Sequence, residues 1–401
     1  MKTVTNVFLT AAVLFVAPVW AAGFAIESHG GRAVGMSTAV TALGDDPSAV
    51  FFNPAGLLGG EGLELQVGAA LIMPRVSFTN PGGEVTKLGG LSPPPHLYAR
   101  YQLMDRVAAG LGVFVPFGAS SSWPEGWEGR FRTTGSTLNV WNINPEVAVQ
   151  VHDRVRLGAG VQIVRGTVLL SRALGFVDSE GEVEIGGGAW GTSFNVGTEI
   201  EILKDTLTFG AAYRPGPRLD FDGQAGFSNV PPEFQSRLRG MGVSTTVDLP
   251  DTVFAGFGFR ALDDRLRIGL DAHWYDWSSF QELRLNFEDE ALSSVSPKHW
   301  NDAVSFHLGG EYRITRDLTA RLGAAYDPTP SPGDTLTPDL PDADRLRASA
   351  GIGYRLGDFQ IDAGYQFVML MDLESTSPLL PGTYGGNAHV VGLTLGWATP
   401  F

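Results

Sequence analysis

The 401-residue sequence predicts an all-β fold: a fourteen-stranded antiparallel transmembrane β-barrel with a short N-terminal helical hatch plugging its lumen. Three observations lead there. Beyond residue 21 no stretch holds the ~18 consecutive apolar residues that a spanning helix needs, which leaves closed barrels as the way across a bilayer. From residue 61 to the end, apolar residues alternate with small or polar ones at a period of two. Turn punctuation is of two kinds, short acidic turns alternating with long loops rich in Pro, Gly, Ser and charge.

The first residues read as an address. Lys2 precedes the apolar run "VFLTAAVLFVAPV", and "VWA" at 19–21 suits cleavage before Ala22. The expected division is therefore a signal peptide over 1–21, a hatch over 22–60 and a barrel over 61–401. An exported chain with no cysteine has no disulfides and depends on pairing and packing. Its formal charge of −15 argues against nucleic acid, whose binding needs clustered Lys and Arg.

Tight turns fall at Met104-Asp105, His152-Asp153, Lys204-Asp205, Asp263-Asp264, Arg316-Asp317 and Gly357-Asp358. Six such hairpins contribute twelve strands, and a first and a last strand complete fourteen. The intervening loops are expected at about 79–93, 117–136, 174–182, 222–245, 287–300, 328–342 and 373–387. Along "DFQIDAGYQFVML" from Asp358, Phe359, Ile361, Ala363, Tyr365, Phe367 and Met369 share one face, opposite Gln360, Asp362, Gly364 and Gln366. "RLRASAGIGYRL" and "RLRIGLDAHW" divide in the same way. A soluble sandwich would also alternate, but regular short-turn and long-loop asymmetry with aromatics near strand ends favours a membrane barrel. Tyr98, Tyr101, Trp141, Tyr213, Trp274, Trp277, Tyr312, Tyr326 and Trp397 are the candidate girdle residues. The final strand "AHVVGLTLGWATPF" ends in Phe401 and resembles the C-terminal signal read by barrel-assembly machinery.

Fourteen strands leave a lumen wider than strand side chains can fill, since about eight already fill themselves. Residues 22–60 are the natural plug. Within them "DDPSAVFFNPAGL" (45–57) starts like a helix, with carboxylates and a proline in its first turn, and stops at Asn53-Pro54. So short a helix needs something to pack against, and Phe51 and Phe52 face that need.

This stretch, with "AGFAIESHGGRAVGMSTAV" before it, resembles the hatch of FadL-type outer-membrane transporters of long-chain fatty acids and aromatic hydrocarbons. "GVFVPFG" (112–118), "LPDTVFAGFGFR" (249–260), "WYDWSSFQEL" (274–283) and "YDPTPSPGDTLTPDLPDADR" (326–345) extend the likeness over 22–401. The hatch motif is Asn53, Pro54 and Ala55. The resemblance implies that the mature N-terminus, Ala22, Gly23 and Phe24, reaches into a ligand site. It also implies a kink in the third strand that opens the wall, for which Gly110, Gly112 and Pro116 are candidates.

Passive uptake of hydrophobic compounds follows, with the hatch gating diffusion and release sideways into the outer leaflet, past a lipopolysaccharide surface that greasy molecules cross poorly. Loop residues Trp123, Trp127, Phe131, Phe234, Leu238 and Met241 are candidates for an outer groove. Lumen-facing ionisable residues by alternation are Arg100, Glu146, Glu199, Arg214, Asp271, His273, Glu311, Arg313, Arg321 and Asp362. Arg100 and Arg313 are candidate carboxylate ligands, because guanidinium suits bidentate recognition, although internal ion-pair networks use the same residues. No cofactor and no metal are expected. An enzyme would need a nucleophile beside a base, and neither G-x-S-x-G nor H-E-x-x-H occurs. A general diffusion porin and a purely structural barrel are the remaining alternatives.

Overall fold

The structure is a computed structural model that describes residues 23–88 and 90–399; the expected signal peptide, Ala22 and Phe401 lie outside the described residues. The strands begin with β1 (Leu63–Thr79), β2 (Val85–Lys87), β3 (Pro95–Met104), β4 (Val107–Ser122) and β5 (Gly135–His152). Next come β6 (Val155–Gly175), β7 (Glu180–Leu203), β8 (Leu207–Arg214), β9 (Arg218–Ser228) and β10 (Met241–Asp248). Then follow β11 (Thr252–Ala261), β12 (Leu266–Tyr275), β13 (Glu282–Phe287), β14 (Ser294–Pro297) and β15 (Ala303–Arg313). The last are β16 (Leu318–Asp327), β17 (Arg345–Leu356), β18 (Phe359–Ser375) and β19 (Gly382–Thr399).

Fourteen of these form a ring of antiparallel neighbours: β1, β3 to β8, β11, β12 and β15 to β19. The ring closes where β19 pairs with β1, from Leu63 opposite Thr399 to Thr79 opposite Thr383. Closure removes the unpaired edge that a bilayer would not tolerate. All six acidic turns join neighbouring ring strands at one end. The remaining five strands extend the long-loop end, and three expected loops are corrected: at 373–387 only 376–381 lie outside strand, because β18 runs to Ser375 and β19 starts at Gly382. Half of residues 222–245 is sheet, leaving 229–240 as the loop: β9 pairs with β7 over Asp222–Ser228 and with β10 over Arg218–Ala225. At 174–182 the loop shrinks to a short turn, because β6 and β7 stay paired up to Gly175 and Glu180. Pro215 and Pro217 separate β8 from β9, since proline cannot donate to the ladder.

The faces are inverted relative to a soluble protein. Leu111, Val161, Phe194, Leu270, Leu322, Ile352 and Leu393 are exposed on the outside, whereas Asn144, Glu146, Gln162, Asp271, His307 and Asp362 are buried inside. Trp141, Tyr101, Tyr312 and Tyr326 are exposed as girdle residues. Tyr98 and Trp277 are not. Both are fully buried, Tyr98 because it shares the lumen face with His96 and Arg100, Trp277 because it turns inward in the 3₁₀ turn after β12.

The N-terminal segment fills the lumen with two short helices, α1 (Gly31–Gly35) and α2 (Ala49–Phe52), and a 3₁₀ turn over Pro54–Gly59. Asn53 ends α2 and also starts the 3₁₀ turn, with its side chain accepting from the Ala55 amide and donating to the Thr41 and Thr198 carbonyls. The segment rests on glycines. An added Cβ at Gly158, Gly210, Gly258, Gly269, Gly309 or Gly364 would come closer than 3.0 Å to its backbone. Those six belong to β6, β8, β11, β12, β15 and β18, so a collar of bare backbone circles the plug. Close approach of two backbones requires glycine on one of them.

Gly309→Val would drive a side chain into the Met36 carbonyl and unseat the plug. Planar-bilayer recordings are expected to show steady ion conductance for this variant. Gly226→Val, whose Cβ meets nothing, should stay as quiet as the parent.

Candidate functional site

The chain enters the lumen along β4. The Ile26 amide donates to the Pro116 carbonyl at 2.8 Å, the Gly118 amide donates to the Phe24 carbonyl at 2.9 Å, and Ala25 bridges Phe117. Residues 24–26 thus occupy an edge of β4. The pairing of β4 with β5 shifts register between Phe114 and Phe117, so the irregularity falls at Val115-Pro116. Gly110 and Gly112 lie instead in regular ladder, opposite Glu146 and Asn144. They are glycine because the plug presses there: a Cβ on either would meet Leu57 or Val50.

Phe24 is 5% exposed and sits in an aromatic cage. Its ring centroid is 4.6 Å from Trp277, 5.7 Å from Trp300, 5.8 Å from Phe280 and 6.1 Å from Phe117, largely edge to face. Beside the cage lies a cavity of about 220 Å³. Its walls are chiefly apolar, among them Ile26, Ile72, Val76, Val368 and Val390, with Asp339, Asp342 and Arg345 at the margin. Sequence reasoning placed Phe24 but missed Trp300 and Phe280. The signal for Phe280 was the cluster of aromatics in "WYDWSSF" (274–280), whose turn carries no alternation to show which way they point, whereas Trp300 stands apart from that cluster in the sequence.

Gly23 also lines this cavity, but among the described residues none of the expected loop, arginine or wall-kink residues does. Trp123 and Trp127 stack at 4.2 Å and donate to the Pro338 and Thr133 carbonyls, forming a loop core with Phe78 and Tyr384. Phe131 is exposed beneath the Arg130 guanidinium. Phe234 stacks on Phe176 on another loop, and Leu238 is half-buried one turn along. Arg100 is committed to the plug, donating to the Leu57 carbonyl at 2.7 Å and to Glu64 at 2.9 Å. Arg313 faces Asp264 in a polar vestibule of about 650 Å³ at the short-turn end. Neither arginine is placed to meet a ligand in the cavity beside Phe24.

Two polar networks hold plug to wall. In the vestibule, Arg32 bonds Asp45 at 2.6 Å, Asp46 at 2.7 Å and Glu311 at 2.8 Å, and Arg267 pairs with Asp45. Arg321 continues the chain to Glu311 and Asp362. Deeper in, Glu27 accepts from Tyr275 at 2.6 Å, contacts His273 at 3.0 Å and pairs with Arg347 at 3.1 Å. Burial by itself would push the Glu27 carboxyl up, but His273, His307 and Arg347 around it hold it well below the usual carboxylate range. A carboxyl lowered in the folded state stabilises at pH above its ordinary value and stops doing so as pH falls through the lowered one. Glu27→Gln is therefore expected to cost the plug roughly 3 kcal/mol at pH 7, as for a broken buried pair. Hydrogen exchange of residues 24–43 should show this loss, and the gap between variant and parent should close in strong acid.

The family model described as outer membrane protein transport protein (OMPP1/FadL/TodX) matches residues 12–398. A long-chain fatty acid transport protein of Escherichia coli O6:H1 is 24% identical, over 89% of each chain. A 47 kDa outer membrane protein of Pasteurella multocida is 25% identical, again over 89% of each. The crystal structure of a Pseudomonas aeruginosa FadL homologue superposes with a TM-score of 0.85 at 23% identity, covering 94% of this chain and 100% of that one. The toluene transporter TodX of P. putida gives 0.75 at 16% identity, covering 94% and 99%. A ring of fourteen strands around a filled lumen, matched over nearly its whole length, makes this chain a member of the OMPP1/FadL/TodX family of outer-membrane transport proteins.

Proposed function

We propose that the protein takes up hydrophobic compounds, long-chain fatty acids or aromatic hydrocarbons, by passive diffusion gated by the N-terminal hatch. The observation that carries this reading is the apolar cavity beside Phe24, set where the N-terminal segment leans on an irregular wall strand. Relatives named for long-chain fatty acid and for toluene transport support the substrate range. Burying an alkyl chain there returns about 0.8 kcal/mol per methylene, enough to draw a greasy molecule off a polar lipopolysaccharide surface.

In this reading residues 1–21 are removed, 22–60 act as the movable hatch and 61–401 as the wall. The ligand enters from the long-loop end and lodges against Phe24. Movement of residues 24–26 away from β4 then frees a path beside Val115-Pro116, where a bulge interrupts the ladder, and release is lateral into the outer leaflet. The assembly machinery reads the last strand and Phe401. A general diffusion porin is the weaker alternative, because the glycine collar and both ion networks seat the plug in the lumen.

Mass spectrometry of protein purified in detergent identifies what it carries, and uptake of that compound is then measured with residues 22–60 present and deleted. A bound hydrophobe, with ungated leakage after deletion, is the expected result. A ligand-free protein with steady ion conductance before deletion would make it a porin.

A further inference from the structure

We infer that the cavity beside Phe24 selects uncharged, compact hydrophobes and discriminates against carboxylates, because each cation around it already holds a carboxylate of the chain. This rests on the reading of the cavity as the ligand site and narrows its substrate class. Arg345 bonds Asp342 at 2.6 Å and the Gly23 carbonyl at 3.0 Å. Arg347 is shared between Glu27 and Asp327. Lys298, buried behind the rim, bonds Asp339 at 2.9 Å and Thr337 at 2.6 Å.

Among the described residues no cation lining the cavity is left for a ligand. A fatty-acid carboxylate entering it would face Asp339, Asp342 and Glu27, which line the same space. To gain a cationic partner it would have to break a buried ion pair and leave one of those carboxylates unpaired, which is costly in a desolvated site. An uncharged molecule meets no such cost.

Two further features fit a neutral ligand. Among the described residues the indole N–H groups of Trp277 and Trp300 find no hydrogen-bond partner and are buried, and Trp300 lines the cavity. A buried donor left free calls for an explanation, and an aromatic face or an ester or ether oxygen would occupy it without bringing charge. The size also fits. An apolar cavity of about 150 Å³ takes up benzene, so 220 Å³ suits a substituted single ring better than a long alkyl chain.

The test uses the full mature protein in lipid nanodiscs at pH 7.5, with tryptophan fluorescence as readout. Methyl benzoate, benzoate and palmitate are titrated, and partitioning of each into protein-free nanodiscs is the reference. Preference for methyl benzoate over benzoate is expected to exceed the partition ratio at least tenfold. Asp342→Asn and Asp339→Asn, which free Arg345 and Lys298, should each shrink that excess at least fivefold, so one folded variant suffices. Benzoate or palmitate binding above its partition reference, or an excess unchanged in a folded variant, would overturn the selectivity while leaving hydrophobic uptake intact. If no ligand alters the fluorescence, the assignment of the cavity as the ligand site fails as well.

Discussion

The structure depends on backbone lying against backbone. Fourteen strands enclose more space than their own side chains fill, and the chain fills the remainder with its own N-terminal segment rather than with larger wall residues. That segment has hardly any regular structure: its helices are five and four residues long. It holds its shape because the wall shapes it. Glycines on successive strands let the plug's carbonyls approach the wall, and a single Cβ at most of these places would push it off. Six of the 52 glycines are spent on that seat rather than on turns.

A seat made of contact alone would be slippery, and the buried polar residues supply the registration. Asn53 binds carbonyls of both plug and wall, Arg100 reaches from β3 to the plug, and Glu27 and Arg32 anchor the segment's first turns to β12, β15 and β17. Charges buried in this way gain little net stability, since desolvation offsets attraction, but they penalise every misplaced arrangement. The apolar cavity lies where this registration gives way to aromatic packing around Phe24. In the proposed uptake a ligand and the plug would compete for the same surface, which is how binding would couple to movement.

Legibility differed by position. The wall was readable because alternation on a pleated strand maps sequence parity onto a face: Asp271, Asp362 and Glu311 were assigned to the lumen and are buried there. The same rule should have moved Tyr98 inside, since it shares parity with Arg100; its aromatic character suggested a girdle instead. Trp277, Trp300 and Phe280 follow no parity, being set on turns, and the loop tryptophans Trp123 and Trp127 formed a core with residues from distant loops. The irregularity of β4 was expected at glycines or at Pro116; it falls at Val115-Pro116, while Gly110 and Gly112 serve the plug.

By itself the sequence determined the barrel, its strand number, the orientation of its faces and the presence of a plug, because each rests on local periodicity or on turn chemistry within a few residues. Only the tertiary structure decided which aromatics meet at Phe24, which carboxylate neutralises which arginine and where the plug touches the wall. Those contacts join residues up to 363 positions apart, as Gly31 and Thr394 are, and no local pattern encodes a distance that only ring closure brings to zero.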